Sequence, residues 1–202
     1  PLLASMDVPP VLRASWRLWA TSIVLLPGFI VQLKWSDNEG YDLRTVSMIS
    51  LSGLALAIHF AAWTWSLDHT SLAHSLLFVT CHPIVIVSAM FVIERKADVL
   101  LITGASLGFI GAALALLDAS DSGSVTYAGD AAAFLGAVAG AAYLAVGRIL
   151  RSSSKIPLFI YAFPVTFLSS IILTLLSASI ESVDSSIDSH PLGWIGTEYF
   201  LT

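Results

Sequence analysis

The chain has 202 residues, of which 56% are hydrophobic and 11% are charged, and its net charge is −5. Soluble proteins carry about a quarter of their residues as charged side chains, so this composition excludes an ordinary soluble domain. The basic residues lie singly or in small groups between apolar runs, which excludes a nucleic-acid-binding patch.

Six apolar segments are long enough to cross a membrane, since a helix of about 20 residues spans ~30 Å of hydrocarbon. They occupy approximately residues 11–33, 46–67, 72–93, 99–117, 130–147 and 157–180. The second and third have 22 residues each, contain no Asp, Glu, Lys or Arg, and flank a short polar turn at 67–71. We predict an all-α, polytopic membrane helical bundle with six transmembrane helices. Residues from Gly193 onward look like the approach to another span.

Small residues recur at spacings of three or four in two of these spans, which is typical of closely packed membrane helices. In span four they are Gly104, Gly108, Gly111 and Ala112, and we predict that this face packs against a neighbour. In span five Gly136, Gly140, Tyr143 and Gly147 share a face that either packs closely or lines a cavity. Pro83 and Pro164 lie inside spans, where they either mark hinges or are ordinary membrane-helix prolines.

The charged residues divide between two sets of predicted loops. The loops after spans one, three and five contain seven of the nine Lys and Arg residues, namely Lys34, Arg44, Arg95, Lys96, Arg148, Arg151 and Lys155. The opposite loops contain none and carry Asp68, Asp118, Asp121, Glu181, Asp184 and Asp188. The positive-inside rule places the basic loops in the cytoplasm, for a plasma membrane or an organelle membrane alike. Labelling of a cysteine placed at Ser153 from outside sealed cells would contradict this orientation.

Four features follow one another along residues 8–155. They are Arg13, Trp16 and Arg17 after two prolines, the hairpin HFAAWTWSLDHTSLAHSLLFVTCHP, Glu94 followed by glycines from Gly104 to Gly111, and Gly129-Asp130 followed by GAAYLAVGR. In this order and spacing they resemble the EamA-type transporters of the drug/metabolite transporter superfamily.

The resemblance implies a fold of ten helices in two inverted five-helix repeats. On that template, residues 1–121 are part of the first repeat without its first helix, and residues 122–202 begin the second repeat. The implied function is a secondary carrier that moves a small polar metabolite, such as an amino acid or nucleotide sugar, by alternating access without ATP hydrolysis. The alternative is a non-transporting membrane scaffold or receptor, or a degenerate transporter fragment.

The start of span one carries the most unusual charges. Arg13, Trp16 and Arg17 lie within about one helical turn and share a face, where two guanidinium groups beside an indole could hold a carboxylate or phosphate. The alternative is that the arginines snorkel to the interface while the tryptophan sits in the aromatic belt. Because basic residues are otherwise absent at this end, we predict that the substrate carries an anionic group.

Histidines and aromatic residues form two further stripes in the hairpin. One consists of His74, Phe78 and His82, and the other of His59 and Trp63. Such histidines either line a proton-sensitive cavity or are satisfied by a carbonyl or hydroxyl of a neighbouring helix. The predicted substrate-binding residues are Arg13, Trp16, Arg17, His59, Trp63, His74, His82 and Tyr143.

Catalytic patterns are missing from the sequence: there is no Ser-His-Asp arrangement, carboxylate pair, phosphate loop or Cys/His cluster. The single cysteine, Cys81, excludes an intrachain disulfide. We therefore expect no enzymatic activity, no cofactor and no metal. The expected partners are the lipid bilayer and a small polar or anionic metabolite, with a homodimer as a further hypothesis.

Overall fold

The computed structural model describes residues 8–35, 42–95, 99–117, 124–152 and 156–181. Within these ranges the chain is all-α and contains no strand. The helices are α1 (Pro10–Trp35), α2 (Leu43–His69), α3 (Leu72–Val79), α4 (His82–Glu94), α5 (Val99–Leu117), α6 (Tyr127–Ser152) and α7 (Leu158–Ile180). Their positions confirm the polytopic membrane helical bundle.

Five segments of the described chain are long and apolar enough to cross a membrane: α1, α2, the α3–α4 segment, α6 and α7. The predicted fourth span corresponds to α5, whose apolar stretch Val99–Leu114 is shorter. Large apolar side chains such as Ile23, Leu107 and Leu175 are exposed on the outside of the bundle. The chain is therefore an integral, multi-pass membrane protein.

Helix α2 lies at the centre of the bundle, packed along α6 and α7 and touching α1. Its buried residues are mostly small, which lets neighbouring backbones approach closely: Ser52, Gly53, Ala55, Leu56, Ala57, Thr64 and Ser66. The Ser169 hydroxyl of α7 donates to the Gly53 carbonyl at 2.7 Å, and Ser66 and Ser75 hydroxyls lie 2.6 Å apart. Such interhelical bonds contribute about 0.6 kcal/mol each in membranes.

The third predicted span is not one helix, because it breaks at Thr80 and Cys81 into α3 and α4. Pro83 lies in the first turn of α4, and a proline there has no N–H to donate and would clash with the preceding turn of a continuous helix. The carbonyls near the break are satisfied locally. The Thr80 hydroxyl donates to Leu77 at 2.9 Å, and the His82 ring Nδ1 donates to Val79 at 3.2 Å.

The helix termini gather at two ends of the bundle. At one end, called the acidic end here, the start of α1 meets the ends of α2 and α7 and the start of α6. At the other, called the basic end, the Phe159 amide of α7 donates to the Gln32 side chain of α1 at 2.9 Å. Asp42, also at this end, caps α2 by accepting from the Thr45 amide at 2.9 Å. Hydrogen bonding to Thr45 holds the pKa of the Asp42 carboxyl below its usual range.

The glycine face of α5 is loosely packed in the described part of the chain, where Gly104 and Gly108 line a cavity between α5 and α4. A methyl group added at Gly104, Gly108 or Gly111 would meet no described atom within 4 Å. The described residues thus show no close packing at these three glycines, and the prediction that this face packs against a neighbour stays a prediction. The corresponding stripe on α6 does pack closely, with Gly136 and Gly140 against His59.

Substituting Gly129 with alanine should destabilise the bundle strongly. The added Cβ would lie 2.6 Å from the Thr70 Cβ and 2.7 Å from the His69 carbonyl group, so the backbone of the α2–α3 turn must move. We expect the free energy of unfolding, measured by SDS titration in mixed micelles, to fall by about 2 kcal/mol. The matched control is Gly104→Ala, which meets open space and should change stability by less than ~1 kcal/mol. Equal stabilities for the two variants would contradict the close packing at Gly129.

Several predictions concern residues outside the described ranges. They are the loop charges Lys96, Lys155, Asp118, Asp121, Asp184 and Asp188, and the further span from Gly193. For Glu94 the structure describes the backbone but not the side chain.

Candidate functional site

The first turns of α1 are held at the acidic end by two carboxylates from other helices. The Arg13 side chain is 7% exposed, and its Nη2 donates to Asp68 at 2.6 Å. Glu181, just after α7, accepts from the Val11 and Leu12 amides at 2.8 and 3.1 Å. A carboxylate at a helix N-terminus satisfies free amides and complements the helix dipole. Arg13 therefore already has a protein counter-ion, Asp68, at the position where an anionic substrate was expected.

A second polar cluster joins the α2–α3 turn to the start of α6. Asp130 accepts from the Thr70 hydroxyl at 2.7 Å, and its other oxygen lies 3.2 Å from the His74 Nδ1. The Thr126 hydroxyl donates to the His69 carbonyl. Asp130 lies in the first turn of α6, where a carboxylate complements the positive end of the helix dipole. The cluster fixes the turn against α6 and gives His74 a carboxylate partner.

Arg17 has a different environment from Arg13, although they are one turn apart. Its guanidinium carbon lies 5.6 Å from the centroid of the Trp63 ring, within the ~6 Å range of cation–π attraction. It is half-buried and makes no ion pair with any carboxylate among the described residues. The buried Trp63 Nε1 also has no hydrogen-bond acceptor in the described part of the chain. Two strong donors with no described acceptor thus lie side by side between α1 and α2.

His59 continues this group along α2 toward α6. Its Nδ1 donates to the Gly136 carbonyl at 2.7 Å, and its ring stacks on Trp63 with centroids 6.2 Å apart. Since the carbonyl can only accept, Nδ1 carries the proton and Nε2 is left as an acceptor in the neutral ring. A Cβ at Gly140 would lie 2.9 Å from the same Nδ1, so a glycine is needed for the ring to fit. The imidazole is satisfied by a neighbouring helix and still presents one basic nitrogen.

The remaining predicted residues are distributed elsewhere. Trp16 is half-buried on α1. His82 bonds locally to Val79 and lines a cavity of ≈640 Å³ between α4 and α5. Tyr143 stacks on Tyr161 with centroids 6.3 Å apart and lines another cavity, of ≈490 Å³, near the basic end of α6 and α7. The structure thus brings together Arg17, Trp63 and His59, sets Arg13 in an ion pair, gives His74 a carboxylate neighbour, and places Tyr143 in a cavity of its own.

Sequence reasoning missed the partners Asp68 and Glu181, which it treated only as loop charges. A signal for them was present, because alternating helix directions place the start of span one at the same end as the ends of spans two and six. A buried charge without an opposite charge nearby is costly, so opposite charges at the same end of a bundle are expected to pair. The sequence also gave no reason to connect Arg148 and Arg151 with Tyr143.

No protein-family model, curated protein or solved structure matches this chain.

Proposed function

We propose that the chain belongs to a multi-pass secondary carrier for a small polar metabolite with an anionic group. The carrier moves its solute by alternating access between helix bundles and hydrolyses no ATP. Its basic end faces the cytoplasm, in line with the positive-inside rule. The resemblance to EamA-type transporters, with amino acids and nucleotide sugars among the implied solutes, supports the same proposal.

The observation that carries this proposal is the environment of Arg17. Seven residues after the start of α1, it lies about 10 Å along the helix axis, inside the span rather than at its edge. Ionisable residues within membrane spans face the bundle interior or a watery cavity and are paired, since an unpaired charge is costly there. Arg13 follows this rule with Asp68, whereas Arg17 has only an aromatic face among the described residues. An anionic solute group supplies the missing partner.

The neighbours of Arg17 provide the other contacts that a small polar solute needs. The free Nε1–H of Trp63 donates a hydrogen bond, and the Nε2 of His59 accepts one. The broken α3–α4 segment supports movement around such a site, because discontinuous helices are common in secondary transporters. Pro164 removes one intrahelical hydrogen bond from α7, so this helix also has a weakened position.

The experiment is uptake by proteoliposomes containing the purified full-length protein, using radiolabelled solutes in matched sets. Each set pairs an anionic metabolite with an uncharged analogue of similar size, and internal unlabelled solute drives exchange without ATP. We expect at least one anionic solute to exchange well above empty liposomes, with its uncharged analogue excluded. If a broad panel of such pairs gives no exchange, or if uptake requires ATP, the proposal is wrong.

A second candidate function is a membrane scaffold, and the open glycine face of α5 favours it. The glycines Gly104, Gly108 and Gly111 have room beside them, since an added Cβ would meet no described atom within 4 Å, and such a face suits another membrane helix, including one from a second copy. A cysteine at the exposed Leu107, in a Cys81→Ser background, tests this candidate. Rapid disulfide cross-linking between copies in the membrane would favour the scaffold function, and monomer only would count against it.

A further inference from the structure

We propose that the cleft between α6 and α7 at the basic end binds the phosphate of an anionic phospholipid. The cleft has a volume of ≈490 Å³, within the ~300–1,000 Å³ typical of ligand pockets. It is lined by Tyr143, Leu144, Gly147, Arg148, Arg151, Ser152, Leu158, Tyr161 and Ala162. This site is separate from the proposed solute site and does not depend on transport.

The charge of the cleft favours an anion. Arg148 and Arg151 are three residues apart at the end of α6, so their side chains leave the same face. Neither forms an ion pair with a carboxylate in the described part of the chain. The described lining residues include no acidic side chain. Two guanidinium groups over one cleft are well suited to a phosphate, which they bind through paired N–H donors.

The two tyrosine hydroxyl groups of the cleft differ in their hydrogen bonding. The Tyr161 hydroxyl is already used, since it lies 2.5 Å from the Ser52 hydroxyl and donates to the Tyr143 carbonyl at 3.3 Å. Gly147 allows this arrangement, because a Cβ there would lie 2.7 Å from the Tyr161 oxygen. The Tyr143 hydroxyl makes no hydrogen bond to another described residue and is free to donate to a ligand. Helix α7 also begins here after Pro157, so the positive end of its dipole adds to the attraction.

The apolar part of the lining points to a lipid and not to a free phosphate. Leu144 and Leu158 are 43% and 45% exposed and stand on the outer surface of the bundle, where acyl chains contact the protein. Helices α6 and α7 touch each other only sparsely, which leaves room for a cleft between them. Basic pockets between membrane helices near the cytoplasmic surface are known to take anionic lipid head groups.

Native mass spectrometry of the full-length protein tests the site, with phosphatidylglycerol and phosphatidylcholine added in equal amounts. We expect wild-type protein to retain phosphatidylglycerol preferentially. Each arginine removed should weaken that binding about fivefold, so Arg148→Gln/Arg151→Gln should lose about 25-fold. Tyr143→Phe should weaken it by a smaller factor. Both arginines are exposed, and the single variants provide the same test if the double variant does not fold.

The matched control is Arg44→Gln, which removes an exposed arginine at the same end but outside the cleft. An equal loss in that variant would assign the effect to general surface charge and overturn the site. Unchanged lipid selectivity in Arg148→Gln/Arg151→Gln would overturn it as well. A third measurement adds inorganic phosphate as a competitor of the lipid. If it displaces phosphatidylglycerol at equal concentration, the ligand is a soluble phosphate compound and the lipid assignment is wrong.

Discussion

Replacing Arg17 with glutamine should raise the KM for an anionic solute about 10- to 100-fold while the amount of folded protein in the membrane stays the same. Glutamine keeps a polar side chain with N–H donors, although it is shorter, and removes the charge. Hydrogen bonds to charged groups contribute about 1.5–3 kcal/mol, which corresponds to this range of affinity. Because Arg17 forms no ion pair with a described residue, its removal leaves no buried carboxylate unpaired. Initial exchange rates in proteoliposomes over a range of solute concentrations measure the effect.

Two further variants separate solute binding from a merely structural role. Arg17→Lys should recover only part of the affinity, because a point charge lacks the guanidinium fork and stacks less well on Trp63. Arg44→Gln, an exposed arginine on α2, should leave KM unchanged. Normal transport by Arg17→Gln would identify Arg17 as an interface anchor that only packs on the indole. A loss of folded protein in that variant would instead assign Arg17 to the stability of the α1–α2 contact.

Most of the fold was predictable because each span is encoded by its own composition. A run of about 20 apolar residues can satisfy its backbone in a bilayer only as a helix, whatever its neighbours are. The bounds of α2 and α7 therefore lie close to the predicted 46–67 and 157–180. The break at Thr80 also has a local cause that is visible in the sequence, because Pro83 has no N–H for a continuous helix. The contacts between helices were not predictable in the same way. The glycine stripes of α5 and α6 look alike in sequence, but only the stripe of α6 is closely packed in the described structure.

The candidate site was harder to predict because its partners are far apart in sequence. Arg13 and Asp68 are separated by 55 residues and meet only because α1 begins at the same end of the bundle where α2 ends. His59 and Gly136 are 77 residues apart and meet across the α2–α6 contact. Residue type and helical spacing singled out Arg17, Trp63 and His59, which the structure places next to one another. They could not show which of the two arginines had a carboxylate from its own chain.

Replacing Asp68 with asparagine should lower the free energy of unfolding by about 3 kcal/mol. Removing one partner of a buried ion pair costs about 3–5 kcal/mol, and the low end applies because the Asp68 side chain is 30% exposed. The cost arises because the guanidinium of Arg13, only 7% exposed, loses its carboxylate. SDS titration in mixed micelles measures the change. The control is Asp42→Asn at the basic end, where asparagine caps a helix as well as aspartate does, so little change is expected.

A double-mutant cycle shows whether the loss comes from the ion pair itself. Arg13→Met/Asp68→Leu removes both charges and should be clearly more stable than the sum of the single changes predicts, since replacing a whole buried pair with apolar groups is often nearly neutral. We expect a coupling energy of about 1–3 kcal/mol between the two positions. Strictly additive losses would mean that Arg13 and Asp68 do not interact in the membrane.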